Sequence, residues 1–177
     1  MRKDRITLIL SLLVLGATLY VSGDIRNSIS FNGTETRVID GDTVDFRMNG
    51  RNVTVRLLGV DAPETHGPTN PEEFGMQDSL RNRECLERWG REARDFTERY
   101  LKNRSVRIST DPAAERRGDY GRLLAYVKSS RSSSTVNLLL IEKGLARVYE
   151  TDFRKLEEFR KEETEAKRKD LGLWGCD

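Results

Sequence analysis

From Glu35 to Val60 the chain alternates apolar and polar residues with a period of two, and the alternation breaks only where a turn is chemically encoded. Val38-Ile39 runs into Asp40-Gly41. Val44, Phe46 and Met48 then alternate with polar residues as far as Asn49-Gly50, and Val53, Val55 and Leu57 alternate beyond it. Successive side chains of a strand point to opposite faces, and Asp-Gly or Asn-Gly pairs supply the backbone that a tight hairpin needs. Three consecutive antiparallel strands are expected. On the third, Arg56 falls on the face opposite Val53, Val55 and Leu57.

The rest of the chain is less regular. Thr65 to Arg83 holds Gly67, Pro68, Pro71 and Gly75 with little periodicity and reads as a long structured loop. Leu86, Trp89, Ala93, Phe96 and Tyr100 then recur at steps of three and four, the spacing of an amphipathic helix whose first turn Gly90 weakens. Val106 and Ile108 suggest a fourth strand, and Leu123, Ala125 and Val127 a fifth. Val136 to Lys143 reads as a short buried helix capped by Ser134 or Thr135 and stopped by Gly144. A last helix is expected from about Asp152 to Asp170, with Phe153, Leu156 and Phe159 inward and the pairs Glu157/Lys161, Glu163/Lys167 and Glu165/Lys169 outward. This element count predicts a β-rich α+β domain, a five-stranded OB-fold barrel with about three helices.

Ahead of it, Ile6 to Gly23 is almost wholly apolar and follows the net positive Met1-Arg2-Lys3-Asp4-Arg5. That pattern predicts export, with residues 1–23 a signal peptide or a retained membrane anchor, residues 24–34 a polar tether, and residues 35–177 the working domain. The protein is then extracellular, secreted or held on the outer face of the cytoplasmic membrane, and a monomer is the expectation. Arg2, Lys3 and Arg5 against Asp4 account for the whole net charge of +2, so the exported part is neutral. A neutral domain lacks the broad basic surface of proteins that hold nucleic acid by counterion release, so any phosphate grip has to be local. Cys85 and Cys176, an even count in an exported chain, favour a disulfide. Two sulfurs and the single His66 make a poor zinc site.

Two clusters carry chemistry. Asp40 and Asp42 flank Gly41 in the first turn. In Arg56-Leu-Leu-Gly-Val-Asp61-Ala62-Pro63-Glu64 an apolar strand ends in two acids around a proline that holds Ala62 extended and fixes where its carbonyl and Glu64 point. Sequential pairing of the strands brings Asp42 and Asp61 to one edge of the sheet. Carboxylates, a backbone carbonyl and water suit a hard cation such as Ca²⁺ or Mg²⁺. Arg56 on the neighbouring strand face is suited to fork onto phosphate oxygens. A third piece, Asp119-Tyr120-Gly121-Arg122, stands at the entry to the fifth strand.

V-I-D-G-D-T-V, R-L-L-G-V-D-A-P-E, Y-G-R-L-L-A-Y-V and G-L-A-R-V, in that order, resemble the staphylococcal nuclease (thermonuclease) family from about Glu35 to Trp174. The resemblance implies a Ca²⁺-dependent OB-fold endonuclease, a phosphodiesterase cleaving DNA and RNA to 3′-phosphate ends. It implies that Asp42, Asp61 and the Ala62 carbonyl bind Ca²⁺, with Asp40 beside them, that Glu64 is the general base, and that Arg56 and Arg122 bind the scissile phosphate. Tyr120 and Tyr149 are implied as substrate contacts, Tyr149 one position out of register. The 66–88 loop is longer than is usual in the family, and Asp119 replaces a lysine. The alternative is a noncatalytic OB-fold module binding nucleic acid or a protein, which retention of all five acids and arginines disfavours.

Overall fold

The computed structural model describes residues 28–67 and 69–176 of the chain, without the side chains of residues 35 and 36. The apolar segment 6–23 lies outside the described residues. In chain order the elements are β1 (Ser30–Asp40), β2 (Thr43–Met48), β3 (Arg51–Leu57), β4 (Val60–Asp61), α1 (Leu80–Leu101), β5 (Ser105–Ser109), β6 (Leu123–Ser129), α2 (Val136–Glu142), β7 (Arg147–Val148) and α3 (Leu156–Arg168). Single 3₁₀ turns occur at Pro71–Phe74, Asp119–Gly121 and Gly172–Gly175.

Five strands close into a barrel in the order β1-β2-β3-β6-β5. The expected hairpins are present, with Asn49 and Gly50 both at positive φ (48° and 78°) in the second turn. β1 closes the ring because its 11 residues serve two partners: its first half pairs with β5 and its second half with β2. Ser30 to Thr34, read from sequence as tether, therefore belongs to the barrel. A short run of Asn, Ser and Gly looks like a linker until a partner strand satisfies its backbone. β3 and β6 run parallel, Val55 opposite Leu123 and Leu57 opposite Ala125. Parallel neighbours need a long crossover, which α1 and β5 provide. This is the OB fold.

Val44, Phe46, Val55, Leu57, Ile108, Ala125 and Val127 fill the interior, and Arg56 is turned out of it, as the alternation requires. Asn137 on α2 is fully buried and ties the barrel's parallel seam. Its Nδ2 donates to the Leu58 and Ala125 carbonyls (3.0 and 3.1 Å), while its Oδ1 accepts from the Val127 N–H (3.0 Å).

The helices start and end differently from the periodic reading. α1 begins at Leu80, capped by Ser79, two turns before its apolar stripe. Those turns are solvated (Leu80 is 73% exposed), so they carry no periodic signal. The Pro71–Phe74 turn inside the supposed loop is too short to show one, yet it seats Phe74 in a second apolar cluster with Met76, Leu86, Leu173 and Cys176. α3 begins at Leu156. Phe153 precedes it and is buried all the same, its ring in edge contact with Phe159 (5.3 Å) and packed against Gly59. On the solvent face Glu163–Lys167 (2.9 Å) and Glu165–Lys169 (3.8 Å) pair, while Glu157 takes Arg160 (2.7 Å).

Cys85 and Cys176 form a disulfide with Cα atoms 5.9 Å apart, tying the C-terminal tail to α1 across a sequence separation of 91. Closing so long a loop removes freedom mainly from the unfolded chain. Urea unfolding of the Cys85→Ser/Cys176→Ser variant is expected to show a loss of about 2–4 kcal/mol with native far-ultraviolet dichroism retained; a loss below about 0.5 kcal/mol contradicts that role.

Candidate active site

Strand register brings the site together. Thr43 pairs with Arg56 across β2–β3, and the Leu57 N–H donates to the Asp42 carbonyl (2.8 Å), so the first turn and the end of β3 share one barrel edge. Asp42 is 1% exposed there. Its Oδ1 accepts from Arg56 Nη1 (2.6 Å) and the Thr43 hydroxyl (2.9 Å), and its Oδ2 accepts from the Ala62 N–H (2.8 Å). Arg56 Nη2 donates to Asp61 Oδ1 (2.7 Å). One guanidinium thus bridges both acids. Burial pushes the Asp42 carboxyl above its ordinary value against the pull of Arg56 and the Ala62 N–H. Burial also works against the charge on Arg56, but Asp42 and Asp61 outweigh it and raise the guanidinium further.

Asp61 has a second partner that sequence reading missed. Arg147 donates from Nε (2.8 Å) and Nη2 (2.7 Å) to Asp61 Oδ2. Its guanidinium lies 5.3 Å from the Phe74 ring centroid, with Glu73 3.9 Å away. The cause is the two-stranded ribbon β4–β7, in which Asp61 and Arg147 are register partners. G-L-A-R-V placed an arginine in an apolar stretch, but no local pattern names a partner 86 residues earlier.

The Glu64 arm is set by close approach. A Cβ on Gly90 would lie 2.6 Å from the Pro63 carbonyl oxygen and 3.0 Å from that of Glu64, so this helical glycine, not a weak first turn, lets α1 support the acid loop. The same helix braces the other acids. Thr97 Oγ1 donates to the Gly41 carbonyl (2.7 Å), and a Cβ on Gly41 would meet Ala93 at 2.7 Å. Asp40 faces the Glu64 loop: its Oδ1 accepts from the Thr65 hydroxyl and lies 3.6 Å from His66 Nδ1. Glu64 itself is exposed, yet partial desolvation, then Asp40 and Asp42, raise its pKa against the pull of Arg56.

A cavity of about 500 Å³ opens beside this edge, lined by Arg56, Arg122, Tyr149, Glu115, Asp119 and Leu124 among others. It unites both expected phosphate arginines with Tyr149, which is half exposed (50%). Tyr120 is not on it. That residue, 96% exposed and at positive φ (61°), lines a neighbouring cleft with Asn52 and Thr54, and Arg122 stands between the two with its guanidinium 5.6 Å from the Tyr120 ring.

The donor set fits a hard divalent cation. Asp40, Asp42, Asp61 and Glu64 stand against Arg56 and Arg147, four acids to two cations. All donors are oxygen. Among the described residues no three His, Cys, Asp or Glu side chains form a ready metal cluster.

The chain matches the family model described as staphylococcal nuclease homologue over residues 54–176. It is 39% identical to an uncharacterised protein of Methanocaldococcus jannaschii over 148 residues, 81% of this chain and 72% of that one. It is 36% identical to the endonuclease YncB of Bacillus subtilis over 146 residues, 81% of this chain and 61% of the relative. It is 34% identical to the thermonuclease of Staphylococcus hyicus over 140 residues, 78% and 72% of the two chains. With the OB barrel, these matches define the class: a hydrolytic nuclease, a phosphodiesterase. Within that class the chain belongs to the staphylococcal nuclease family.

Two outcomes follow from this geometry. In metal-free protein the Glu64 carboxyl, followed by ¹³C NMR, titrates above the ordinary glutamate value of 4.5, and Asp40→Asn lowers its midpoint by removing the nearest like charge; an unchanged midpoint contradicts the arrangement. Gly90→Ala gains about 1 kcal/mol of helix propensity but displaces the Pro63–Glu64 backbone. Turnover is expected to fall on the order of tenfold or more with helix content preserved.

Proposed function

We propose that this protein is an exported, Ca²⁺-dependent endonuclease that hydrolyses DNA and RNA to products with 3′-phosphate ends. The observation that carries the reading is the cavity in which Arg56, Arg122 and Tyr149 meet beside the Asp42–Asp61–Glu64 edge. Arg56 and Arg122 grip the non-bridging oxygens of one phosphodiester and stabilise the charge that grows on them as water adds. Arg56 reaches that phosphate from its seat between Asp42 and Asp61, which keep it protonated and limit its rotamers. Glu64 accepts the proton of the attacking water. Arg147 holds Asp61 from the far side, and Asp40 steadies Thr65 beside Glu64. Asp42, Asp61 and the Ala62 carbonyl would hold Ca²⁺, which when bound would supply Lewis-acid neutralisation of the phosphate charge.

Tyr149 offers a stacking face, which every base satisfies, so tolerance of DNA and RNA is expected. Glu115 and Asp119 on the cavity wall disfavour a doubly charged terminal phosphate and favour internal diesters. Export is supported by the apolar segment 6–23 after a basic start and by a disulfide, which persists in oxidising compartments.

The test is cleavage of single-stranded DNA and RNA by the full-length chain with Ca²⁺ or with chelator. Wild type is expected to cleave only with Ca²⁺. Glu64→Ala is expected to lose about 10²–10⁴-fold in turnover with strand binding kept, and Arg122→Ala on the order of 10²–10³-fold with strand binding weakened. Strand binding without cleavage by wild type identifies a binding module instead. Cleavage indifferent to chelator and to Glu64→Ala overturns the mechanism.

A further inference from the structure

A second group of cations lies on the outer barrel wall, away from the acid edge. Arg107 on β5 and Lys128 on β6 are register partners, so two like charges stand directly across an antiparallel pair, an arrangement that weakens the pair unless an anion lies between them. Both are exposed, and neither has an ion-pair partner among the described residues. Asn32 of β1 is Arg107's partner on its other side. Together with Ser105, Ser130 and Ser132 these residues line a cavity of about 390 Å³. Residues 101–110 and 122–141 contain no Asp or Glu. The side chains around this cavity are therefore cations, hydroxyls and an amide, donors arranged for an anion. The exposed large apolar side chains, Leu80, Tyr120, Tyr149 and Leu171, are not on it, so nothing here suits insertion into a lipid surface.

β6 connects this patch to the active site. Alternation puts Arg122, Leu124, Tyr126 and Lys128 on one face; the first two line the active-site cavity, while Tyr126 is buried with its hydroxyl donating to Asp111, so a strand joining the two sites passes over it. Six residues at ~3.3 Å place Lys128 about 20 Å from Arg122. That distance is several nucleotides of an extended strand. An OB domain commonly covers ~4–16.

We propose that Arg107, Lys128 and the surrounding serines form a phosphate-binding exosite that holds the single-stranded substrate several nucleotides from the bond being cut. The proposal rests on the nuclease reading for the identity of the strand. It explains how a neutral domain retains a polymer: by two local grips on one face.

Fluorescence anisotropy of end-labelled oligothymidylates of ~2 and ~20 nucleotides, lengths below and above the ~4–16 that an OB domain covers, with full-length protein in chelator over a salt series, measures the exosite without cleavage. Turnover of both oligomers with Ca²⁺ is a separate arm, and its failure would count against the nuclease reading alone. Arg107→Gln/Lys128→Gln is expected to weaken the long oligomer about tenfold and to lower its salt slope by about two, leaving affinity and turnover of the short one unchanged. Arg107→Glu sets a carboxylate opposite Lys128, so it should weaken long-strand binding while Tm stays level or rises. That pair of readouts separates a binding role from a structural one. Long-strand affinity within twofold of wild type, or an equal loss with the short oligomer, overturns the proposal. So does a loss confined to sedimentation with phosphatidylglycerol vesicles.

Discussion

The Arg56 guanidinium between Asp42 and Asp61 is the contact on which the acid edge depends. Asp42 is buried, and a buried carboxylate without a cation is costly enough that it would take up a proton or drive the turn apart. Arg56 prevents both by spending one nitrogen on each acid. Removing either acid leaves a partly buried cation under-compensated, and removing the arginine leaves two acids repelling each other. The edge is therefore stable as a unit.

The unit keeps its geometry because rigid elements close around it. α1 presses on the Asp40–Asp42 turn through Ala93 and Thr97, and on Pro63–Glu64 through Gly90. Both contacts are closer than a side chain would allow, so two glycines set the positions of acids that are distant in sequence. Beyond Asp61, Arg147 rests on Phe74, whose apolar cluster contains Cys176 of the disulfide. The covalent link thereby reaches the acid edge through three packed layers: the tail, the Pro71–Phe74 turn and Arg147.

Charge balance and charge placement answer different questions here. Neutrality of residues 24–177 implies only that cations are not in excess. The barrel sorts them by strand face, gathering acids with Arg56 and Arg147 at one edge and leaving Arg107 and Lys128 without acids on the outer wall. A polyanion responds to this local sorting and not to the sum.

Alternation at Val44 to Leu57, the two Asx-Gly turns and the β-branched runs at Val106 and Val127 determined the five barrel strands, because period-two burial is a local property of the chain. The acid and arginine motifs likewise named Asp42, Asp61, Glu64, Arg56 and Arg122 before any coordinates, since each stands beside a turn, a proline or a strand end that fixes its direction. What the tertiary structure alone decided has non-local causes. The pairing of Ser30–Thr34 with β5, the β4–β7 ribbon that delivers Arg147 to Asp61, and the place of Gly90 beneath Glu64 each join residues far apart in the chain. The separation of Tyr149, on the cavity, from Tyr120, outside it, is of the same kind. Periodicity records which face a residue buries, but which other segment it meets depends on how the barrel closes.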